Sequence, residues 1–156
     1  MEILKVEDLS FKYPDCGEPA VKNVSFSIER GEFTVLCGAT GSGKSTLLRM
    51  LKPQLTPLGE LSGEICFNGQ SLAGLDAKTS AAAVGFVMQK PEQQIVTDKV
   101  WHELAFGLEN LGIKTDVIRR RVAEMANYFG INGWFRKKTG ELSGGQKNSL
   151  VKNKRH

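Results

Sequence analysis

Gly38-Ala39-Thr40-Gly41-Ser42-Gly43-Lys44-Ser45 is the stretch that decides how this chain is read. It satisfies G-x-x-x-x-G-K-[ST] at every fixed position, the pattern of a loop that cradles phosphate groups. Glycines let successive main-chain N–H groups turn inward without side-chain obstruction, making a concave nest for anionic oxygens. The N-terminus of the helix expected next adds partial positive charge. Lys44 supplies a full charge near the β- and γ-phosphates. Ser45 supplies a hydroxyl of the kind that Mg²⁺, a hard cation, takes as a ligand. The motif alone implies nucleotide phosphates and a metal, and it leaves the reaction open.

Working outward, Phe33-Thr34-Val35-Leu36-Cys37 is short, continuously apolar and followed by the glycine-rich turn. That pattern predicts a strand buried on both faces. On the other side, Ser45 to Leu51 reads as a helix with Leu47, Leu48 and Leu51 on its buried side, ended by Pro53 and Pro57. Upstream, Val21 to Ile28 alternates, with Val24, Phe26 and Ile28 on one face, which predicts an antiparallel, half-solvated sheet. Ile3, Val6 and Leu9, interrupted by charges, read as a further strand. Downstream, Glu64 to Phe67 reads as a strand closed by the turn Asn68-Gly69. Val84 to Met88 reads as a second short apolar strand ending at Gln89.

Two helices are expected next. The first starts near the cap pair Thr97-Asp98, carries Val100, Trp101, Leu104, Ala105, Leu108 and Leu111 at helical spacing, and stops at Gly112. The second starts at Thr115-Asp116, carries Val117, Ile118, Val122, Met125, Ala126 and Phe129, and stops at Gly130. The stripe Trp101/Leu104/Leu108 is read as core in preference to a surface for a partner helix. His102 is read as an exposed helix residue, since no second histidine lies nearby to share a metal.

The 156 residues suffice for one domain, and 40% apolar with 24% charged residues is ordinary globular composition. The formal net charge is only +4, and no basic stripe interleaved with aromatics occurs, so a nucleic-acid partner is not expected. Arg119-Arg120-Arg121, Arg136-Lys137-Lys138 and the tail Lys152 to His156 read as solvated charge runs. Cys16, Cys37 and Cys66 show no C-x-x-C spacing, which argues against a zinc site or a disulfide framework and fits a reducing compartment. No leader pattern and no run of about 18 apolar residues is present, so any membrane role is expected through a partner.

Leu142-Ser143-Gly144-Gly145-Gln146 discriminates among phosphate-loop proteins. Downstream of such a loop it resembles the signature of ATP-binding cassette (ABC) ATPases. Tyr13, in Phe11-Lys12-Tyr13-Pro14, and Gln89, in Phe86-Val87-Met88-Gln89, match two further positions of that family. Pro91 to Thr97, followed by Val100 to Asn110, is similar to energy-coupling factor ATPases of bacterial vitamin and metal-ion uptake systems.

The resemblance implies an α/β P-loop NTPase fold of the ABC type, with an antiparallel β subdomain, an incomplete parallel RecA-like core and a helical subdomain. The segments are expected at 1–91 (β subdomain and phosphate loop), 92–140 (helical) and 141–156 (signature and tail). ATP and Mg²⁺ are the implied cofactors. Gly38, Ala39, Thr40, Gly41, Ser42, Gly43, Lys44, Ser45 and Thr46 would contact the nucleotide, with Lys44 and Gln89 in the catalytic roles. Ser45 and Gln89 would reach the metal. Tyr13 would stack on adenine, a role preferred to that of a plain core or surface aromatic.

The implied partners are a second ABC ATPase subunit, identical or different, and an integral membrane transport subunit. The residues Leu142 to Gln146 would act in trans on the partner's nucleotide. The implied location is the cytoplasmic face of the cell membrane. A DNA-repair or chromosome-structure head of the same superfamily would need a long coiled coil between glutamine and signature, and Lys90 to Glu141 lacks sustained heptads. A non-catalytic nucleotide-binding module remains the alternative.

From Lys147 the sequence runs Lys147-Asn148-Ser149-Leu150-Val151-Lys152-Asn153-Lys154-Arg155-His156. The family implies here an amphipathic helix, then an apolar strand ending in Asp-Glu and a switch histidine. The expectation is therefore of a shortened cassette, through a frameshift, an early stop or an incomplete gene, with the segment Phe33–Cys37 left as an unpaired apolar edge and a marginally stable chain.

Overall fold

The computed structural model describes residues 1–153 and divides the chain into two units, Met1–Val84 and Gly85–His156. In the first unit, strand β1 (Glu2–Lys12) buries Val6, Leu9 and Phe11, a spacing that simple alternation does not allow. A bulge resolves the mismatch. Asp8 takes a φ of 48°, and the register against the neighbouring strand shifts between Glu7 and Ser10. The extra residue carries Leu9 and Phe11 back to the face that Val6 occupies. The Asp8 amide is held there by donating to Ser25 Oγ at 2.8 Å.

Strand β2 (Val21–Glu29) has a matching irregularity at Asn23, with φ 46°. Val21 thereby joins Val24 and Phe26 in the same core. Strand β3 (Glu60–Phe67) is longer than its sequence predicts and passes the β1 bulge at Gly63. There φ is +91°, and a Cβ would lie 2.5 Å from the Asp8 carbonyl oxygen, so only glycine fits. The expected turn at Asn68-Gly69 leads into β4 (Gln70–Ser71), and the antiparallel order is β2-β1-β3-β4.

Helix α1 (Lys44–Met50) lays Leu47 and Met50 on this sheet beside Val6, Leu9, Phe11 and Val21. Leu48, expected inside, is 45% exposed, because the short helix has one narrow face and the i, i+3 pair Leu47/Met50 fills it. Helix α2 (Ala77–Ala83) was not foreseen. Asp76 caps it by accepting from the Thr79 amide at 2.9 Å. Near its other end, the buried Lys52 ammonium donates to the Ser80 and Val84 carbonyls at 2.9 and 2.6 Å, where a cation complements the helix C-terminus.

Two expected strands do not form. Phe33, Val35 and Leu36 are 90%, 65% and 44% exposed in a segment without regular structure, and Val84 to Met88 likewise has no strand assignment. A strand exists only through hydrogen-bonded neighbours, and neither segment has one among the described residues.

The second unit is helical. Helices α3 (Val100–Asn110), α4 (Thr115–Tyr128) and α5 (Gly144–Asn153) share a core of Val100, Leu104, Leu108, Ile118, Val122, Met125 and Leu150. Leu104 and Leu108 are core as read from sequence, while Trp101 is 40% exposed and its ring stacks on His102. The N-cap of α3 is Lys99, without a side-chain cap bond, in place of the expected Thr97-Asp98 pair. The buried carboxylate of Glu103 takes over: it accepts from the amides of Val96 and Thr97 at 3.1 and 2.8 Å. Glu103 has no exposure at all, so these two bonds help offset the loss of water around its carboxyl group and hold it in place.

Candidate functional site

The Gly38–Ser45 loop is anchored through α1. Gly43 is the N-cap, with φ 82° and ψ 0°. Its Cα lies so close to the start of β2 that a Cβ would come within 2.1 Å of the Ala20 carbonyl oxygen. The Ala20 amide in turn donates to Phe11 O at 2.8 Å. Loop, β2 and β1 are thus stacked by backbone contacts, and burial of Leu47 and Met50 fixes the helix behind them. Within the loop, Ser42 N donates to Ala39 O at 3.2 Å, closing a turn.

Lys44 curls over its own loop. Its ammonium donates to Gly38 O at 2.9 Å, Ala39 O at 2.6 Å and Ser42 Oγ at 3.2 Å. All three donors of the ammonium are satisfied, and the charge sits over the glycine-rich turn. Thr40 and Gly41 at the tip are exposed, as is Ser45, whose hydroxyl has no protein partner among the described residues. Thr46 is buried, and its hydroxyl lies 3.1 Å from Tyr13 Oη. Tyr13 also packs edge-on against Phe11, with ring centroids 4.9 Å apart. The aromatic singled out from sequence therefore sits one helical residue from Ser45, half-buried, with its hydroxyl tied to α1.

The donor set fits Mg²⁺ in the way a nucleotide-bridged ion requires. Among the described residues no group of three or more His, Cys, Asp or Glu side chains could hold a metal by itself. Mg²⁺ at a phosphate needs only one or two protein oxygens besides phosphate and water, and the exposed Ser45 hydroxyl could supply one.

The remaining site residues belong to the second unit and are described within it. Gln89 is exposed at the end of the Phe86–Met88 segment, and its side chain makes no hydrogen bond among the described residues. In the signature, Leu142 is buried and Ser143, Gly144 and Gly145 are exposed. Ser143 N donates to Gln146 Oε1 at 2.9 Å, and Gln146 N donates to Ser143 Oγ at 3.3 Å. This reciprocal pair is a capping box, S-x-x-Q, at the start of α5. The same S-x-x-Q spacing in the sequence carries both this cap and the motif. The 3-10 turn Pro91–Gln94 packs against α5. His156, the terminal residue, which has no switch context in the sequence, lies outside the described residues.

The antiparallel sheet with its phosphate-loop helix and the helical unit that opens a helix with Ser-Gly-Gly-Gln match the antiparallel and helical parts expected of the ABC type, while every strand pair among the described residues is antiparallel. The comparisons give the family. The ABC transporter domain description matches residues 21–151. A putative ABC transporter ATP-binding protein of Bacillus cereus is 41% identical over 143 residues, covering 92% of this chain and 26% of that protein. The energy-coupling factor transporter ATP-binding protein EcfA1 of Lactobacillus gasseri is 40% identical over 149 residues, covering 96% of this chain and 52% of that protein. The structure of CbiO1 from Clostridium perfringens, described as part of the ABC transporter complex CbiONQ, superposes with a TM-score of 0.84 at 33% identity, covering 98% of this chain and 60% of that one. This chain belongs to the ABC transporter family. It spans about a quarter of the first of these relatives and about half of the second. No helix among the described residues is long and apolar enough to cross a membrane.

Proposed function

We propose that this chain binds Mg-ATP as part of the ATP-binding subunit of an ABC importer of the energy-coupling kind, in which hydrolysis drives uptake of a vitamin or metal ion. The observation that carries the reading is the Lys44 ammonium held against the main chain of the glycine-rich loop it terminates. That charge is preorganised over the nest, and binding exchanges its three loop oxygens for phosphate oxygens. The exchange replaces neutral acceptors by anionic ones, and such bonds are roughly twice as strong. Amides of Gly41 to Ser45 add donors, the Ser45 hydroxyl meets the ion, and Tyr13, kept in place by Thr46, offers its ring to the base. Mg²⁺, when bound, would offset the negative charge of the phosphates, and the Ser45 hydroxyl would help hold it.

In this reading Gln89 reaches the metal and the attacking water. The amides behind Ser143 to Gly145 serve the nucleotide of a second ABC ATPase subunit, where small donors at a helix start meet an anion. The capping box keeps Ser143 and its neighbours at that helix start. A membrane transport subunit is the further partner, and the chain works on the cytoplasmic face of the membrane. The test separates binding from turnover: calorimetry of Mg-ATP with the purified chain, and phosphate release at saturating Mg-ATP. Saturable binding that Lys44→Ala abolishes supports the reading, with or without turnover. A folded chain without affinity for Mg-ATP overturns it.

A further inference from the structure

The segment Phe86–Met88 has no strand partner, yet its polar backbone is not left bare. Gln94 Oε1 accepts from the Met88 amide at 2.8 Å, and Gln94 Nε2 donates to the Phe86 carbonyl at 3.1 Å. A carbonyl at one position and an amide two positions later are the pair that one residue of a parallel neighbouring strand engages. A single primary amide, with one acceptor and two donors, reproduces that residue. It is delivered by the 3-10 turn Pro91–Gln94, whose Gln93 and Ile95 amides bond back to Lys90 and Glu92 at 3.1 and 3.3 Å. The clasp closes a small ring of chain from Met88 to Gln94. Gln89 follows the clasped Met88 in that ring, and its own side chain is exposed.

The geometry points to Gln94 as the positioning residue for Gln89: by fixing the peptide groups on either side of Val87, it sets the direction in which the Gln89 side chain leaves the backbone. The inference rests on the proposed metal-sensing role of Gln89. Gln94 touches neither nucleotide nor metal in it, and acts through the main chain. The turn that carries Gln94 also packs against α5, the helix that Ser143 caps, so the same clasp links the backbone of Gln89 to the signature helix within this unit.

Two measurements on the full chain test this. The first is amide hydrogen exchange at Met88 in the wild type, Gln94→Ala and Gln94→Glu. Loss of one net hydrogen bond accelerates exchange on the order of tenfold in Gln94→Ala. Gln94→Glu retains the acceptor and loses the donor, so it falls between the two. Core amides of Leu104 and Leu150 serve as the check that the unit stays folded. The second is the ratio of ATP affinities with Mg²⁺ and with chelator. Gln89→Ala lowers that ratio, Gln94→Ala lowers it by a similar factor while metal-free affinity holds, and the double variant loses no more than either single one.

An unchanged Met88 exchange rate in Gln94→Ala overturns the clasp, whatever the nucleotide does. Faster exchange with an intact metal ratio, where Gln89→Ala lowers it, overturns the positioning role. A ratio unmoved even by Gln89→Ala overturns both the inference and the metal role of Gln89. A wild type with no ATP affinity overturns the nucleotide reading itself, and Met88 exchange still decides the clasp.

Discussion

Alanine at Gly43 and alanine at Gly41 place the same strain on the backbone and differ in one contact. The two residues have φ values of 82° and 84°. A Cβ at position 41 meets nothing within 4 Å, whereas at position 43 it lies 2.1 Å from the Ala20 carbonyl oxygen and 3.3 Å from Val21 Cγ2. The left-handed backbone costs an L-residue about 1–2 kcal/mol, and reduced freedom of the unfolded chain returns about half a kcal/mol or a little more. Gly41→Ala should therefore cost about 1 kcal/mol.

At Gly43 the carbonyl must move by about 1 Å to reach an ordinary carbon–oxygen contact of about 3.3 Å. The Ala20–Phe11 hydrogen bond and the burial of Val21 oppose that movement. Overpacking of this kind adds about 2 kcal/mol, for a total near 3 kcal/mol, a large share of the 5–15 kcal/mol typical of a domain. Amide exchange across the β1–β2 ladder reads the stability of this unit. Equal losses in the two variants, or a larger loss in Gly41→Ala, would refute the claim that the loop is seated on Ala20.

Other outcomes follow from the same structure. Glu103→Ala leaves the Val96 and Thr97 amides without their carboxylate and costs about 3 kcal/mol, read by urea unfolding through the Trp101 and Trp134 fluorescence of the second unit; a loss under about 1 kcal/mol contradicts it. Ser143→Ala removes the α5 cap at a cost of about 1 kcal/mol, and adding Gln146→Ala costs less than the sum because the two bonds are reciprocal. The Thr79 hydroxyl, and after it the Thr79 amide, hold the Asp76 carboxyl below its ordinary value. The stability Asp76 lends α2 is therefore complete above the ordinary carboxylate value and is lost as pH falls through the lowered one. Exchange at the Thr79 amide should quicken only there, and a midpoint at or above the free carboxylate value argues against the cap.

What was legible in the sequence follows from which interactions are local. The phosphate loop, the turn at Asn68-Gly69 and helices α3 and α4 each depend on a few adjacent residues or one period, so reading them needed no partner. Val6, Leu9 and Phe11 defeated the alternation rule because their common face depends on a bulge at Asp8, and only the meeting with Ser25 and Gly63 reveals it. Phe33 to Cys37 failed the other way. Its composition is that of a central strand, but strand structure is a property of pairs, and no partner lies among the described residues. Helix α2 has a local signal too, Asp76 before an alanine-rich run. Gln94 had none: a glutamine in a polar turn gives no hint that its amide will fold back on Phe86 and Met88.

The central claim is that main-chain amides of the Gly38–Ser45 loop, completed by the Lys44 ammonium, hold a triphosphate. Titration of Mg-ATP into ¹⁵N-labelled chain reads those amides one by one. The account predicts that the largest and mutually saturating shifts fall on Gly41 to Thr46 and vanish in Lys44→Ala. Shifts centred elsewhere, or a loop untouched at saturating Mg-ATP, would contradict it.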